Sequence, residues 1–222
     1  MAQPKSDIAP LLREAVALQD RGAFDQAVER CERALRQAPR SVEALHLLGV
    51  GECLRGRPEA GLKHFDRAIA LAPGFAPAHG AKGAALVALR RHDEAVRPLR
   101  RAAQLQPGSA EAQMNLALAL DGSGGDWTDI QAAFEAALRL RPESADAHYN
   151  YATVLMRHGR LAEAEEPLRR AVALRPALLE AWNNLGLCLR DLGRRDAAIA
   201  AWRQGVDRAP PGDKAEIGRA HV

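Results

Sequence analysis

The chain has 222 residues, enough for one or two ordinary domains or one quasi-linear array; 47% hydrophobic and 27% charged residues exclude a disordered tail. Aromatics make up only 4% while alanine and leucine recur throughout, a helical composition. Thirty-one basic against 28 acidic residues leave a charge of +3, too mild a surplus to imply nucleic acid.

Residues 1–7 form a short lead with one lysine and no apolar signal core. No stretch of the chain approaches the roughly 18 uninterrupted apolar residues of a membrane span, so a cytoplasmic chain without membrane contact is expected. From Ile8 onward the sequence is periodic. Prolines 39, 73, 107, 142, 176 and 210 close similar phrases at spacings of 34, 34, 35, 34 and 34. A fixed period of this size determines the whole fold and is read before any local pattern.

The first unit, 8–41, carries apolar residues at helical spacing, breaks at Gly22, resumes as a second helix and stops before Pro39. Unit 42–75 repeats this with Gly56 and Pro73. Unit 76–109 has Arg90 where the others have glycine, and Pro98 early in its second helix. Unit 110–144 is one residue longer, and the extra residue is assigned to Gly122-Ser123-Gly124-Gly125, with Gly125 at the break. Units 145–178 and 179–212 break at Gly159 and Gly193, and Pro167 again falls early in a second helix. Residues 213–222 form a tail.

Columns align across the six units. Position 8 is always small (Ala15, Gly49, Gly83, Ala117, Ala152, Gly186), as is position 27 (Ala34, Ala68, Ala102, Ala137, Ala171, Gly205). Position 24 is mostly bulky (Cys31, Phe65, Leu99, Phe134, Leu168, Trp202), and position 11 is leucine except at Glu52. Small residues let two antiparallel helices approach and large ones fill the remaining space. Each unit is therefore expected to be a helix–turn–helix that buries its face by stacking on neighbours.

These residues resemble the tetratricopeptide repeat (TPR) family, best in Trp182-Asn-Asn-Leu-Gly-Leu-Cys-Leu followed by Gly193, Ala198, Trp202 and Pro210. The resemblance spans 8–212 and implies an all-α fold: an α-α superhelix, or TPR solenoid, of six helix-turn-helix repeats. Glu14 and Lys82 at position 7, and His79, Gln113 and His148 at the aromatic-preferring position 4, depart from the family's pattern; they limit what it implies for local packing, not the resemblance itself.

No catalytic constellation emerges, and no cofactor or metal is expected. Cys31, Cys53 and Cys188 are odd in number and far apart, excluding a disulfide framework or a tetrahedral zinc site. The histidines form no HExxH or related spacing. Asp121 to Asp126 hints at a calcium loop, but Ala132 stands at its twelfth place, where an acidic residue is required. The paired arginines Arg100-Arg101 and Arg169-Arg170 read as a solvated outer face, because aromatic stacking partners are scarce.

The resemblance places a binding groove on the first helices. Position 6 there reads Arg13, Leu47, Ala81, Asn115, Asn150, Asn184. Three consecutive asparagines resemble the ladder in the TPR superhelix of O-linked N-acetylglucosamine transferases. Each amide supplies two donors and an acceptor, suited to the backbone of an extended peptide, while the same asparagines also suit bonds between neighbouring helices. Asn183, Tyr149, Thr153, Arg157 and Arg190 are expected to flank the ladder. Leu47, Val50, Ala81, Ala84 and Val87 make the N-terminal half of the groove apolar, suited to an amphipathic segment.

The expected function is a non-catalytic scaffold that binds a protein or extended peptide. The alternative is the recognition arm of a larger transferase, since bacterial TPR arrays of this type resemble those preceding glycosyltransferase or sulfotransferase domains. Ile217 to Val222 reads IGRAHV, which resembles the translation of a common sequencing-library adapter, so the tail is expected not to be native. Leu185, Leu189 and Leu192 would then form an exposed, uncapped apolar end that promotes self-association.

Overall fold

The computed structural model describes residues 7–208, and the tail beyond lies outside the described residues. Among the described residues twelve helices follow one another: α1 (Ala9–Asp20), α2 (Phe24–Gln37), α3 (Val42–Leu54), α4 (Pro58–Leu71), α5 (Ala76–Ala88), α6 (His92–Leu105), α7 (Ala110–Gly122), α8 (Trp127–Leu140), α9 (Ala145–Arg157), α10 (Leu161–Leu174), α11 (Leu179–Asp191) and α12 (Arg195–Arg208). Among the described residues there is no strand. The chain falls into two compact units divided inside α8, between Ala133 and Phe134. In the first, α1 packs on α2, α3 on α4 and α5 on α6, and successive pairs stack through α2 on α3, α4 on α5 and α6 on α7. In the second, α9 packs on α10 and α11 on α12, with α10 against α11.

Helix ends follow from local chemistry. Ser41, Ser109 and Ser144 cap α3, α7 and α9, each hydroxyl accepting from the backbone N–H three residues on at 3.2 Å. Helices α2, α4, α6, α8 and α10 each stop two residues before the periodic proline, because the residue preceding a proline is disfavoured in the helical region. The break inside each pair is a Schellman closure. At the break, Gly22, Gly56, Gly159 and Gly193 take φ between 72° and 79°, and the next residue donates to the carbonyl of Leu18, Glu52, Leu155 or Leu189.

Arg90 takes the same left-handed conformation at φ 61°, a strained place for a side chain.

The fourth unit requires a correction. Its left-handed glycine is Gly124 (φ 70°), not Gly125, and Gly125 N–H donates to Leu120 O at 2.7 Å as the following residue does elsewhere. The extra residue is Asp126, whose carbonyl accepts from Asp129 and Ile130 to start α8. Elsewhere one residue both closes the turn and opens the helix. Here Gly125 and Asp126 divide the two tasks.

The core follows the small columns. Ala15, Ala27 and Ala34 are fully buried, and a Cβ added at Gly49 would stand 2.5 Å from Phe65 Cε1. Two further buried columns escape a reading by size contrast, because their members are alike. One is Ala44, Ala78, Ala112, Ala147 and Ala181; the other is Gly51, Ala85, Ala119, Val154 and Cys188.

At position 4 two histidines take the place of the family's aromatic residue. His79 Nε2 lies 3.0 Å from Pro73 O and His148 Nε2 2.9 Å from Pro142 O, the place Trp182 Nε1 takes on Pro176 O at 3.0 Å. What the position supplies is a ring N–H at the right reach, and imidazole provides it as indole does.

The apolar end is also corrected. Leu185 and Leu189 are each only 2% exposed, because α12 closes over α11 and covers that face. The exposed large apolar residue of α12 is Ile199 instead.

Candidate functional site

The reactive side chains are placed for packing. Burial pushes the Cys31 thiol up to about 12, with the Glu32 carboxylate adding to it. Cys188 is raised by burial and by Glu165 and Asp191, and its Sγ lies 3.2 Å from Leu161 O as a donor. Cys53 is raised by burial and by Glu52. A thiol held protonated is a poor nucleophile. Burial also lowers His46, whose ring packs against Phe65 and Phe75 with centroids 6.1 and 5.7 Å away. Among the described residues no group of three or more His, Cys, Asp or Glu side chains could hold a metal ion. The acidic turn after α7 is absorbed by the Gly124 to Asp126 junction, and Trp127 Nε1 donates to Gln131 Oε1 at 2.8 Å, one turn along its own helix.

The first helices line up side by side within each unit: α1, α3, α5 and α7 in the first, α9 and α11 in the second. Of the eight expected groove residues, the second unit gathers seven. Tyr149, Asn150, Thr153 and Arg157 lie on α9, and Asn183, Asn184 and Arg190 on α11. Arg157 and Arg190 are exposed and the other five half-buried. Asn115 lies half-buried on α7, in the first unit.

Asn184 and Asn150 occupy the same place on adjacent helices because 34 residues separate them in a packing scheme that repeats. Asn184 Nδ2 donates to Thr153 Oγ1 at 3.3 Å, and that hydroxyl donates to Tyr149 O at 2.9 Å. One amide hydrogen of Asn184 therefore ties α11 to α9, and the acceptor oxygen and second hydrogen extend the amide's capacity beyond that bond. Arg190 Nε bonds Asp191 Oδ1 at 2.8 Å, which draws it along its own helix. Asn183 contributes structurally through its carbonyl, which accepts from Trp202 Nε1 at 3.3 Å.

The equivalent face of the first unit is apolar. Leu47, Val50, Ala81, Ala84 and Val87 are half-buried, and two residues the sequence reading passed over extend the patch: Val16 at 42% and Leu54 at 46% exposure. Their signal was present in the sequence, since both stand on first helices, where the resemblance places the groove. Gln19 Nε2 donates to Leu47 O at 2.9 Å and bridges α1 to α3 across this face. Glu43 and Glu111 add exposed carboxylates at one edge.

Family profiles described as tetratricopeptide repeat match residues 12–76, 81–129, 122–178 and 179–211. Among curated relatives, the tetratricopeptide repeat-containing protein trd-1 of Caenorhabditis elegans is 26% identical over 200 residues, 88% of this chain and 24% of its own length. Protein FlbA of Caulobacter vibrioides is 27% identical over 187 residues, 84% of this chain and 31% of its own length. The chain thus spans about a quarter to a third of these relatives. The human protein O-mannosyl-transferase TMTC1 is 38% identical over 65 residues, 29% of this chain and 7% of that protein. Among solved structures, the type IV pilus biogenesis factor PilW superposes with a TM-score of 0.82 at 18% identity, covering 90% of this chain and 93% of its own. YrrB, described as a TPR protein with an unusual peptide-binding site, gives 0.62 at 22% identity, covering 79% and 90%. At these identities the structures share a fold with this chain. Among the described residues no helix is long and apolar enough to cross a membrane.

Proposed function

This chain belongs to the tetratricopeptide-repeat family, and on that premise we propose that it is a non-catalytic scaffold binding an extended protein segment along its first helices. The observation carrying this reading is the pair Asn150 and Asn184, half-buried at equivalent repeat positions of α9 and α11, with Asn184 tied to α9 through Thr153. Amides at a repeat spacing offer donors and acceptors to a peptide backbone while leaving its side chains unread. Asn115 holds the same repeat position in the first unit, and Tyr149, Asn183, Arg157 and Arg190 flank the Asn150 and Asn184 pair in the second. The peptide-binding description of YrrB adds support by analogy of fold.

The test selects binders from a displayed library of unstructured peptides against the intact chain and measures their affinity by fluorescence anisotropy. The combined Asn115→Ala, Asn150→Ala and Asn184→Ala variant is expected to bind about tenfold or more weakly with unchanged helicity, since neutral hydrogen bonds contribute about 0.5–1.5 kcal/mol each. Unchanged affinity across the selected peptides removes the ladder.

The TMTC1 match supports a second reading, in which the same face is the acceptor-recognition arm of a larger transferase, O-GlcNAc-transferase-like or sulfotransferase. Extending the reading frame in genomic DNA tests it. An in-frame catalytic domain supports that reading, and a native stop directly after the array removes it.

A further inference from the structure

A cleft of about 780 Å³ opens where α4, α5 and α6 meet, away from the asparagine column. Its lining combines apolar surface from Ile69 and Val96 with the cations Lys82, Arg97, Arg100 and Arg101 against a single carboxylate, Asp93. The volume lies in the range of ligand clefts, about 300–1,000 Å³. Two of the cations are already held: Lys82 Nζ by Asp66 Oδ1 at 2.5 Å and Arg100 by Asp129 Oδ2 at 3.0 Å. Arg97 and Arg101 differ. Both are exposed, they stand one turn apart on α6, and neither makes an ion pair or hydrogen bond among the described residues. Like charges at this spacing repel and destabilise their helix slightly, a cost that a bound anion would reverse. Guanidinium groups also suit carboxylates through paired, parallel hydrogen bonds.

We infer that this cleft binds an acidic peptide segment, its carboxylates on Arg97 and Arg101 and an apolar side chain against Ile69 and Val96. The occupant's chemistry follows from the lining: a bare anion would leave the apolar wall unused, and a basic or neutral segment would leave both guanidiniums unpaired. The site is independent of the first-helix face, because its guanidiniums and apolar wall come from the second helices α4 and α6.

The experiment titrates the intact chain into a fluorescein-labelled peptide of alternating glutamate and leucine, and into the same peptide with glutamine for glutamate, reading anisotropy. The paired variant Arg97→Glu, Arg101→Glu is compared with Arg36→Glu, Arg40→Glu, which changes net charge equally at residues outside the cleft lining. The acidic peptide is expected to bind, the glutamine peptide about tenfold or more weakly, and the Arg97/Arg101 variant to lose about tenfold or more, while the control pair and the triple asparagine variant stay within about twofold. Inorganic phosphate at equal charge concentration is expected to compete poorly. Equal losses in both arginine pairs, equal binding of both peptides, or full competition by phosphate would each overturn the inference. A loss seen only in the asparagine variant places the peptide on the first-helix face and also overturns it. Should the reversed pair fail to fold by circular dichroism, Arg97→Gln with Arg101→Gln replaces it, with the same outcomes decisive.

Discussion

Replacing Gly49 by alanine tests the closeness of α3 and α4 directly. The added Cβ would lie 2.5, 2.8 and 2.9 Å from three ring carbons of Phe65, whereas unstrained carbon atoms meet at about 3.5–4.0 Å. Phe65 is 1% exposed and its ring is flanked by His46, so the overlap must be relieved by moving packed atoms. Overpacking of this kind costs about 1–3 kcal/mol. Alanine recovers about 1 kcal/mol of helix propensity over glycine, leaving a net loss of up to about 2 kcal/mol. For a chain of this size that lowers the melting temperature by up to about 8 °C. Phe65→Leu alone is expected to cost about 1–2 kcal/mol through the volume it vacates. Together they recreate the alanine and leucine found at Ala152 and Leu168, both fully buried, so the double variant should be less destabilised than the sum by about 1 kcal/mol. Thermal unfolding followed by far-UV circular dichroism measures all three. Strict additivity, or a Gly49→Ala chain more stable than the parent by the full helix-propensity gain, refutes the close approach of the two helices.

Arg90→Gly is expected to stabilise the chain by about 0.5–1 kcal/mol, since it releases a side chain from left-handed backbone at some cost in chain entropy; a lower melting temperature would contradict this. Glu52→Leu is expected to stabilise by about 1 kcal/mol in urea titration. Glu52 is 8% exposed, its Oε2 has no partner, and leucine fills the same column at Leu86, Leu155 and Leu189, while Arg55 keeps Asp25 at 2.7 Å. A destabilised variant would mean that the carboxylate supports the fold through its 3.2 Å contact with Arg55.

The periodic prolines, the break residues and the size columns carry the helix pairs because each is a local constraint repeated six times over. The position of the extra residue was not readable in the same way. Gly124 and Gly125 are equivalent as letters, and only the left-handed φ of Gly124 and the bond from Gly125 to Leu120 distinguish them. The part played by His79 and His148 is not legible from their departure from the aromatic preference, because the structure uses the ring nitrogen. Leu185 and Leu189 were misplaced because the end of a stack was treated as bare, although α12 covers α11 within the last pair. At the candidate face, the asparagine column is visible in sequence, but the bond between Asn184 and Thr153 joins residues 31 apart and depends on how α9 and α11 meet. The cleft beside Arg97 and Arg101 is less readable still, since it draws on three helices whose separate patterns look like ordinary solvated faces.

The junction at Gly124, Gly125 and Asp126 has a consequence at the level of the gene. The turn there is completed by the same backbone bond as in the other pairs, and the next helix starts afresh from its own cap one residue later. A length change at this point is therefore absorbed where it occurs and does not propagate into the following pair. Unequal recombination between neighbouring copies would leave each surviving unit with its own turn and stop signal. Arrays of this kind can gain or lose whole pairs in one genetic step, which alters how much surface they present without inventing a new way to fold.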